Sequence, residues 1–339
     1  MHRGARFTIL IAVLLAGCGS TTTSTSTSTP AVAVDEEPVV TTTVTAPTTS
    51  TSVDDATETA PALPVTIVDH VGNEVTIESV DRIIPLDGTV AEVVFALGLG
   101  DNVVATDLSA TYPPEADALP EIGYQRSLTA ESIAQFAPTV LLATDIAGPE
   151  GTIDDLRRLG YPLVIVPNDA SAAGPAEKIR AVATALGVPA RGEALAGELD
   201  EAIAATRTTP GDHAPVVVAL YLRGESTQLV LGREAATDWL IEAAGGVNVA
   251  DLLDIDETAP VSAEAILAVA PDIIIVPAAG LDSVGGIEGL MGVGGLGETP
   301  AGRNRAVITH DDQLLLGNGP RTGALLADLR SAFEELTTP

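Results

Sequence analysis

Two of the four tyrosines in this chain open a Tyr-x-Arg triplet, Tyr124-Gln125-Arg126 and Tyr221-Leu222-Arg223. A phenolate is a hard oxygen donor suited to Fe(III), and tyrosine is one of the few side chains that serve as an axial haem ligand. Free phenol ionises near pH ~10, so such a ligand needs help from its surroundings. A guanidinium two residues along an extended segment lies on the same side, where it favours phenolate or pairs with a ligand carboxylate. Either triplet alone also fits an amphipathic strand end. One in each half of the chain describes a pair that grips a single metal-bearing anionic ligand across a cleft.

Residues 64–339 must build the frame that holds the triplets, and they are numerous enough to bury full cores. Short apolar runs, Val140-Leu141-Leu142-Ala143, Val164-Ile165-Val166, Val216-Val217-Val218-Ala219 and Ile273-Ile274-Ile275-Val276, alternate with helical stretches. Runs of that length read as strands buried on both faces of parallel sheets, which predicts an α/β architecture. The frame is duplicated. Leu128-Thr129-Ala130-Glu131-Ser132-Ile133, followed by Ala137-Pro138 and a strand, matches Val261-Ser262-Ala263-Glu264-Ala265-Ile266, followed by Ala270-Pro271 and a strand. A weaker match pairs Gly100-Asp101-Asn102-Val103 with Gly246-Val247-Asn248-Val249. Between the halves, Leu195, Leu199 and Ile203 recur at steps of four and predict one helix of about 28 Å. The expected organisation is two similar Rossmann-like lobes with parallel-rich sheets, residues 64–188 and 208–339, joined by a long interlobe helix over 189–207.

Ahead of the lobes, residues 1–17 carry Arg3 and Arg6 and then an apolar run over 7–15, ending in Leu15-Ala16-Gly17-Cys18. This pattern predicts a signal peptide with a lipobox, its apolar run too short to span a bilayer. Cys18 is the sole cysteine, so lipidation there would anchor the mature chain with no cysteine left for a disulfide. Residues 18–63 continue in Thr, Ser and Pro, a composition that cannot bury enough apolar surface to fold and reads as a tether. Its reach is roughly 35 to 40 Å. The whole sequence holds 47 Asp plus Glu against 16 Lys plus Arg, a formal net charge of -31. That field disfavours nucleic acid and anionic headgroups as partners. An anionic ligand entering it requires local positive charge, supplied by Arg126, Arg223 and also Arg321, which follows Gly319-Pro320 at the expected start of the last helix.

Lipobox, tether, duplicated α/β lobes and joining helix resemble the helix-linked class of substrate-binding proteins serving bacterial ABC importers of cobalamin, siderophores and haem. Five stretches resemble its haemin-binding branch: Thr111-Tyr112-Pro113-Pro114, Leu119-Pro120-Glu121-Ile122-Gly123-Tyr124-Gln125-Arg126, Tyr221-Leu222-Arg223-Gly224, Thr299-Pro300-Ala301-Gly302-Arg303-Asn304 and Leu316-Gly317-Asn318-Gly319-Pro320-Arg321. The resemblance implies a lipoprotein on the outer face of the cytoplasmic membrane, or the periplasmic side in a diderm. It would bind ferric haem (haem b) as transported ligand and pass it to a permease dimer with its ATPase, working as a monomer.

In that branch the position matching Tyr124 is commonly a tyrosine or histidine that ligates haem iron; members with two axial ligands take the second from the position matching Tyr221, with an arginine matching Arg223 hydrogen-bonding near it. Both positions are tyrosine here, so bis-tyrosine, single-tyrosine and two-haem arrangements all stay open. Tyr112, beside Pro113 and Pro114, is the alternative ligand, although a rigid turn packed on a lobe fits it better. His70, His213 and His310 fall outside the motifs and read as solvated or packing residues. Glu131 and Glu264 sit in first turns behind the N-caps Thr129 and Ser262, where a carboxylate offsets the helix dipole. In the resembled class, acids on the two lobes dock onto arginines of the permease.

A siderophore or cobalamin binder would share every architectural feature, and only the Tyr-x-Arg pair separates it. An enzyme is disfavoured, because the chain lacks a dinucleotide glycine fingerprint after a first strand, a phosphate-binding loop and a nucleophile elbow. Without a histidine cluster, a catalytic zinc is disfavoured as well.

Overall fold

The computed structural model describes residues 60–337. Cys18 and the residues expected to form the signal peptide and most of the tether lie outside the described residues. A hairpin of β1 (Val65–Val68) and β2 (Glu74–Ile77) precedes the first lobe. That lobe is built on three parallel strands, β3 (Ile83–Pro85), β4 (Val140–Ala143) and β5 (Leu163–Ile165), with β4 central. Its helices are α1 (Gly88–Ala96), α2 (Pro114–Asp117), α3 (Ala130–Ala134), α4 (Glu150–Arg158) and α5 (Gly174–Ala185).

Helix α6 (Pro189–Thr206) then leads into the second lobe. Its strands are β6 (Val216–Arg223), β7 (Thr227–Leu231), β8 (Val247–Asn248), β9 (Thr258–Pro260), β10 (Ile273–Pro277) and β11 (Val307–His310). They lie in the order β11-β10-β6-β7-β9, and β8 pairs with the start of β6. Around them run α7 (Ala236–Ala243), α8 (Val249–Leu253), α9 (Ala263–Val269), α10 (Ala278–Ser283), α11 (Gly286–Leu290), α12 (Pro300–Arg303), α13 (Asp312–Gly317) and α14 (Thr322–Thr337). The fold is α/β, with two lobes on parallel-rich sheets.

The apolar runs are continuous because both faces of each sheet are covered. In the first lobe Ile83, Val140, Leu142 and Val164 face a central core. Ile84, Leu141, Leu163 and Ile165 face an outer one. The second lobe repeats the alternation, with Val217, Ala219, Ile273 and Ile275 inward and Val218, Leu220, Ile274 and Val276 outward. The inward faces of both lobes belong to the same cluster, which is filled by α1, α5, α6 and α14 through residues such as Val93, Ile179, Leu199 and Leu325.

Helix α6 has Pro189 in its first turn, and Gly192, Ala196, Leu199 and Ile203 form its buried face. Leu195, expected on that face, is half-buried beside it. A Cβ on Gly192 would lie 2.2 Å from Ala183 Cβ on α5, and one on Gly323 would lie 2.9 Å from Ala202 Cβ. Glycine at these two points lets α6 press between α5 of one lobe and α14 of the other.

The duplication survives in backbone detail. Helices α3 and α9 are capped by the Thr129 and Ser262 side chains. Ala137 and Ala270, just beyond them, share a left-handed backbone at φ 45° and 48°. A non-glycine residue seldom takes that conformation, so its recurrence marks an equivalent turn. The weaker match differs between halves: residues 100–102 form a 3-10 turn, whereas Val247 and Asn248 enter the sheet.

Polar side chains fasten the lobes where α13 meets α1 and α5. Lys178 on α5 is 1% exposed, and its ammonium donates to Thr89 Oγ1 at 3.2 Å and to the carbonyls of Gly317 at 2.9 Å and Asn318 at 3.3 Å. Burial lowers its pKa, while the charges of Asp87, Glu92 and Asp145 act in the opposite direction. The Gln313 amide donates to Gly88 O, Tyr112 O and Glu92 Oε2, and its oxygen accepts from the backbone N–H of Thr111 and Tyr112. Replacing Lys178 by Met removes all three ammonium donors and strands their acceptors, so Lys178→Met is expected to lower unfolding free energy by about 2 to 4 kcal/mol. Urea unfolding of the intact protein measures this, and an unchanged midpoint would remove the fastening role.

Candidate functional site

Tyr124, Gln125 and Arg126 of one triplet and Tyr221 and Arg223 of the other line one cavity of about 930 Å³ between the lobes. Tyr124 comes from the first lobe, in an irregular segment ahead of α3. Gly123 before it has φ 105°, a conformation that glycine adopts without strain. The segment is pinned on both sides, since Leu108 N–H donates to Gly123 O at 3.0 Å and Gly148 N–H donates to Gln125 O at 2.8 Å. Gln125 N–H also donates to Asp107 Oδ2 at 3.2 Å. The Tyr124 side chain is left 39% exposed toward the cleft.

Tyr221 comes from the second lobe. The strand runs on past the apolar run Val216-Val217-Val218-Ala219 to Arg223, because β7 folds back against it and pairs Tyr221 with Leu229. This hairpin brings Leu229 and Leu231 into the cleft wall opposite Leu108 and Ile146 of the first lobe. Arg223 lies over the Tyr221 ring with its guanidinium carbon 4.4 Å from the centroid. Its Nη1 donates to Leu222 O at 2.8 Å, and its Nη2 meets Asp312 Oδ2 at 2.5 Å. Arg126 also lines the cavity and is exposed, and among the described residues no hydrogen bond or ion pair engages its guanidinium. Asp87, Asp169, Glu234, Asp311 and Asp312 make the rest of the wall acidic.

Two expected cleft residues are elsewhere. Arg321 is absent from the cavity wall: its Nε and Nη2 donate to Glu92 at 2.8 and 2.9 Å, and the Glu92 carboxylate is buried at 4% exposure. A buried carboxylate requires such a partner, so the guanidinium is held in the seam between lobes. Tyr112 lies beneath it, half-buried, with Arg321 Cζ 3.7 Å above the ring. The packed turn, rather than a cleft position, is what the structure shows for Tyr112. Glu131 and Glu264 are both exposed in the first turns of α3 and α9. His70 and His213 are exposed, whereas His310 is buried with its pKa lowered by burial, and none of the three lines the cavity. Among the described residues no group of three or more His, Cys, Asp or Glu is placed to hold a metal ion.

Sequence reasoning missed Asp87, Asp107, Lys178 and Gln313. Asp87 caps α1 by accepting from Thr89 N–H at 2.8 Å, and it also accepts from the Thr144 hydroxyl at 3.1 Å. Asp107 accepts from the Ser109 hydroxyl at 2.8 Å as well as from Gln125 N–H, and so ties the Tyr124 segment to the lobe. The one available signal was Lys178, conspicuous as the sole lysine.

The cleft thus lies between two α/β lobes joined by a helix, with side chains of both lobes facing it. The chain matches the periplasmic binding protein family over residues 83–314 and belongs to it. It is therefore an extracytoplasmic substrate-binding protein. Among solved structures it is similar to the periplasmic haem-binding protein RhuT from Roseiflexus sp. RS-1 in apo form, at 47% identity and TM-score 0.73, covering 76% of this chain and 99% of that one. The haem-binding protein HmuT is 35% identical with TM-score 0.74, covering 81% and 91%. BhuT in complex with two haems is 33% identical with TM-score 0.69, covering 76% and 99%. A vitamin B12-binding protein of Vibrio cholerae is 26% identical over 195 residues, 57% of this chain and 69% of that protein.

Asp107 yields a pH test. Burial, with a smaller contribution from the Asp87 charge, pushes its carboxyl from the ordinary 3.8 to about 6, against hydrogen bonds from Ser109 and Gln125. A raised folded pKa means that the folded state holds the proton more tightly. The associated stability is complete below pH ~4 and is lost as pH rises through about 6. An asparagine fits the same bonds if the Ser109 hydroxyl turns to accept. Relative to Asp107→Asn, the wild type should lose up to about 3 kcal/mol between pH ~4 and ~7. Parallel stability-versus-pH curves from denaturant titration would overturn the assignment.

Proposed function

We propose that this protein captures ferric haem in the interlobe cleft and delivers it to the permease of an ABC importer. The observation that carries the reading is the placement of Tyr124 and Tyr221, one from each lobe, on a single cavity of about 930 Å³. A phenolate suits Fe(III), and the apolar wall of Leu108, Ile146, Leu229 and Leu231 suits the faces of a macrocycle. Similarity to RhuT, HmuT and BhuT supports the same cargo. Ligation by both tyrosines, by one, or of two haems is consistent with this cavity. The chain's part is to bind, orient and release, with no chemical step on the cargo.

Exposed Glu131 and Glu264, at equivalent positions of the two lobes, are the proposed contacts with the permease dimer and its ATPase. Lipidated Cys18 is the proposed anchor, and a single chain is the proposed working unit. In the producing cell, Glu131→Ala with Glu264→Ala should stop haem uptake while haemin affinity stays within about twofold. A loss of affinity in that variant would assign these residues to folding instead.

Optical and EPR titration of the intact protein with haemin tests the cargo directly. Saturable binding should give a ferric tyrosinate spectrum, and Tyr124→Phe or Tyr221→Phe should change it, with affinity falling at least about tenfold for a lost ligand. Unchanged spectra and affinities in both variants would remove the two tyrosines from the site. Cobalamin is the second reading, carried by the vitamin B12-binding relative. It requires saturable cyanocobalamin binding in the same titration and none of haemin.

A further inference from the structure

The two cleft arginines differ in what already holds them. Arg223 is engaged on three sides, by the Asp312 carboxylate at 2.5 Å, by Leu222 O at 2.8 Å and by the Tyr221 ring. Asp312 is itself fixed: it is the first residue of α13, and its second oxygen accepts from Ala279 N–H at 3.0 Å. The neighbouring Asp311 also lines the cavity. A cargo carboxylate approaching Arg223 would therefore meet two fixed negative charges, and it would have to displace Asp312 to reach the guanidinium. Arg126, on the turn after Tyr124, has no such competitor among the described residues and stands exposed at the cleft.

We infer that Asp312 is a positioning residue that neutralises Arg223, pins it on the Tyr221 ring and withholds it from the cargo's carboxylates, which Arg126 anchors instead. Both carboxylates of haem lie on one edge of the macrocycle. Anchoring that edge at Arg126 sets the orientation of the cargo, with its carboxylate edge toward the first lobe. Arg223 is thereby reserved for the phenol of Tyr221. The inference rests on the haem reading of the same cleft.

Titration of the intact protein with haemin and with haemin dimethyl ester, which lacks free carboxylates, separates the two. The wild type should prefer haemin over the ester by about tenfold, the scale of one charge-assisted hydrogen bond. Arg126→Gln should abolish that preference and leave ester affinity within about twofold. Arg223→Gln should change the tyrosinate spectrum with either ligand and keep the preference. Asp312→Asn retains the acceptor for Ala279 N–H and frees Arg223, so combining it with Arg126→Gln should restore the preference about tenfold. Ester affinity monitors folding in Arg126→Gln, and the urea-unfolding midpoint does so in the variants that touch Arg223. An unchanged preference in Arg126→Gln, or none regained in the double variant, overturns the inference while leaving haem as cargo. If neither ligand saturates the wild type, the haem reading fails and the inference falls with it.

Discussion

A single buried ammonium group, that of Lys178, ties together the parts of the protein on which the cleft depends. It has three protons, and the structure supplies three acceptors, one on α1 and two at the end of α13. Removing an amine from water is unfavourable, and only a complete set of partners with nearby negative charge makes it tolerable. The acceptors come from both lobes, so satisfying Lys178 fixes their relative placement. Gln313, with donors and acceptors on Gly88, Thr111 and Tyr112, repeats the constraint a few ångströms of chain away. Around this seam the inward faces of both sheets share one hydrophobic core. Separating the lobes would expose that core at roughly 25 cal/mol per Å², so the geometry of the cleft is largely set before any cargo enters.

The seam also explains how so acidic a chain manages its few cations. With one lysine and a net charge of -31, a guanidinium left free is a scarce group. Arg321 is consumed by buried Glu92, and Arg223 is paired with Asp312. Each pairing serves geometry: the first closes the seam beneath the cleft, the second holds a planar cation against a tyrosine ring. Local charge in the cavity is consequently far less positive than a count of nearby arginines suggests. What stays available for an anion is concentrated at Arg126, on the segment that also carries Tyr124.

Duplication produced two lobes that share a capped helix, a left-handed alanine and a central strand, and then diverged where the cargo binds. In the first lobe Tyr124 sits on an irregular segment held by Asp107 and Gly148. In the second, the corresponding wall is the β6–β7 hairpin that presents Tyr221. Two different local solutions thus aim the same side chain into one space. Where the lobes stayed alike, they present Glu131 and Glu264 in matching exposed first turns of capped helices.

Much of this was legible in the amino-acid order. Strands buried on both faces appear as unbroken apolar runs, so β4, β6 and β10 announce themselves, and the four-residue steps of Leu195, Leu199 and Ile203 announce α6. The β7 and β9 strands did not, being short and half-exposed, with a pattern that turn residues also satisfy. The Tyr-x-Arg triplets were visible because residue type and spacing alone imply their chemistry. Which arginine is free was not, because a guanidinium's role is decided by whichever carboxylate the fold brings to it: Glu92 reaches Arg321 across 229 residues and Asp312 reaches Arg223 across 89. Sequence by itself determined the fully buried strands, the joining helix, the duplication and the donor types, all set by short-range periodicity and intrinsic chemistry. Tertiary structure decided which charges are neutralised and where the lobes lock, because desolvation and pairing depend on contacts between segments far apart in the chain.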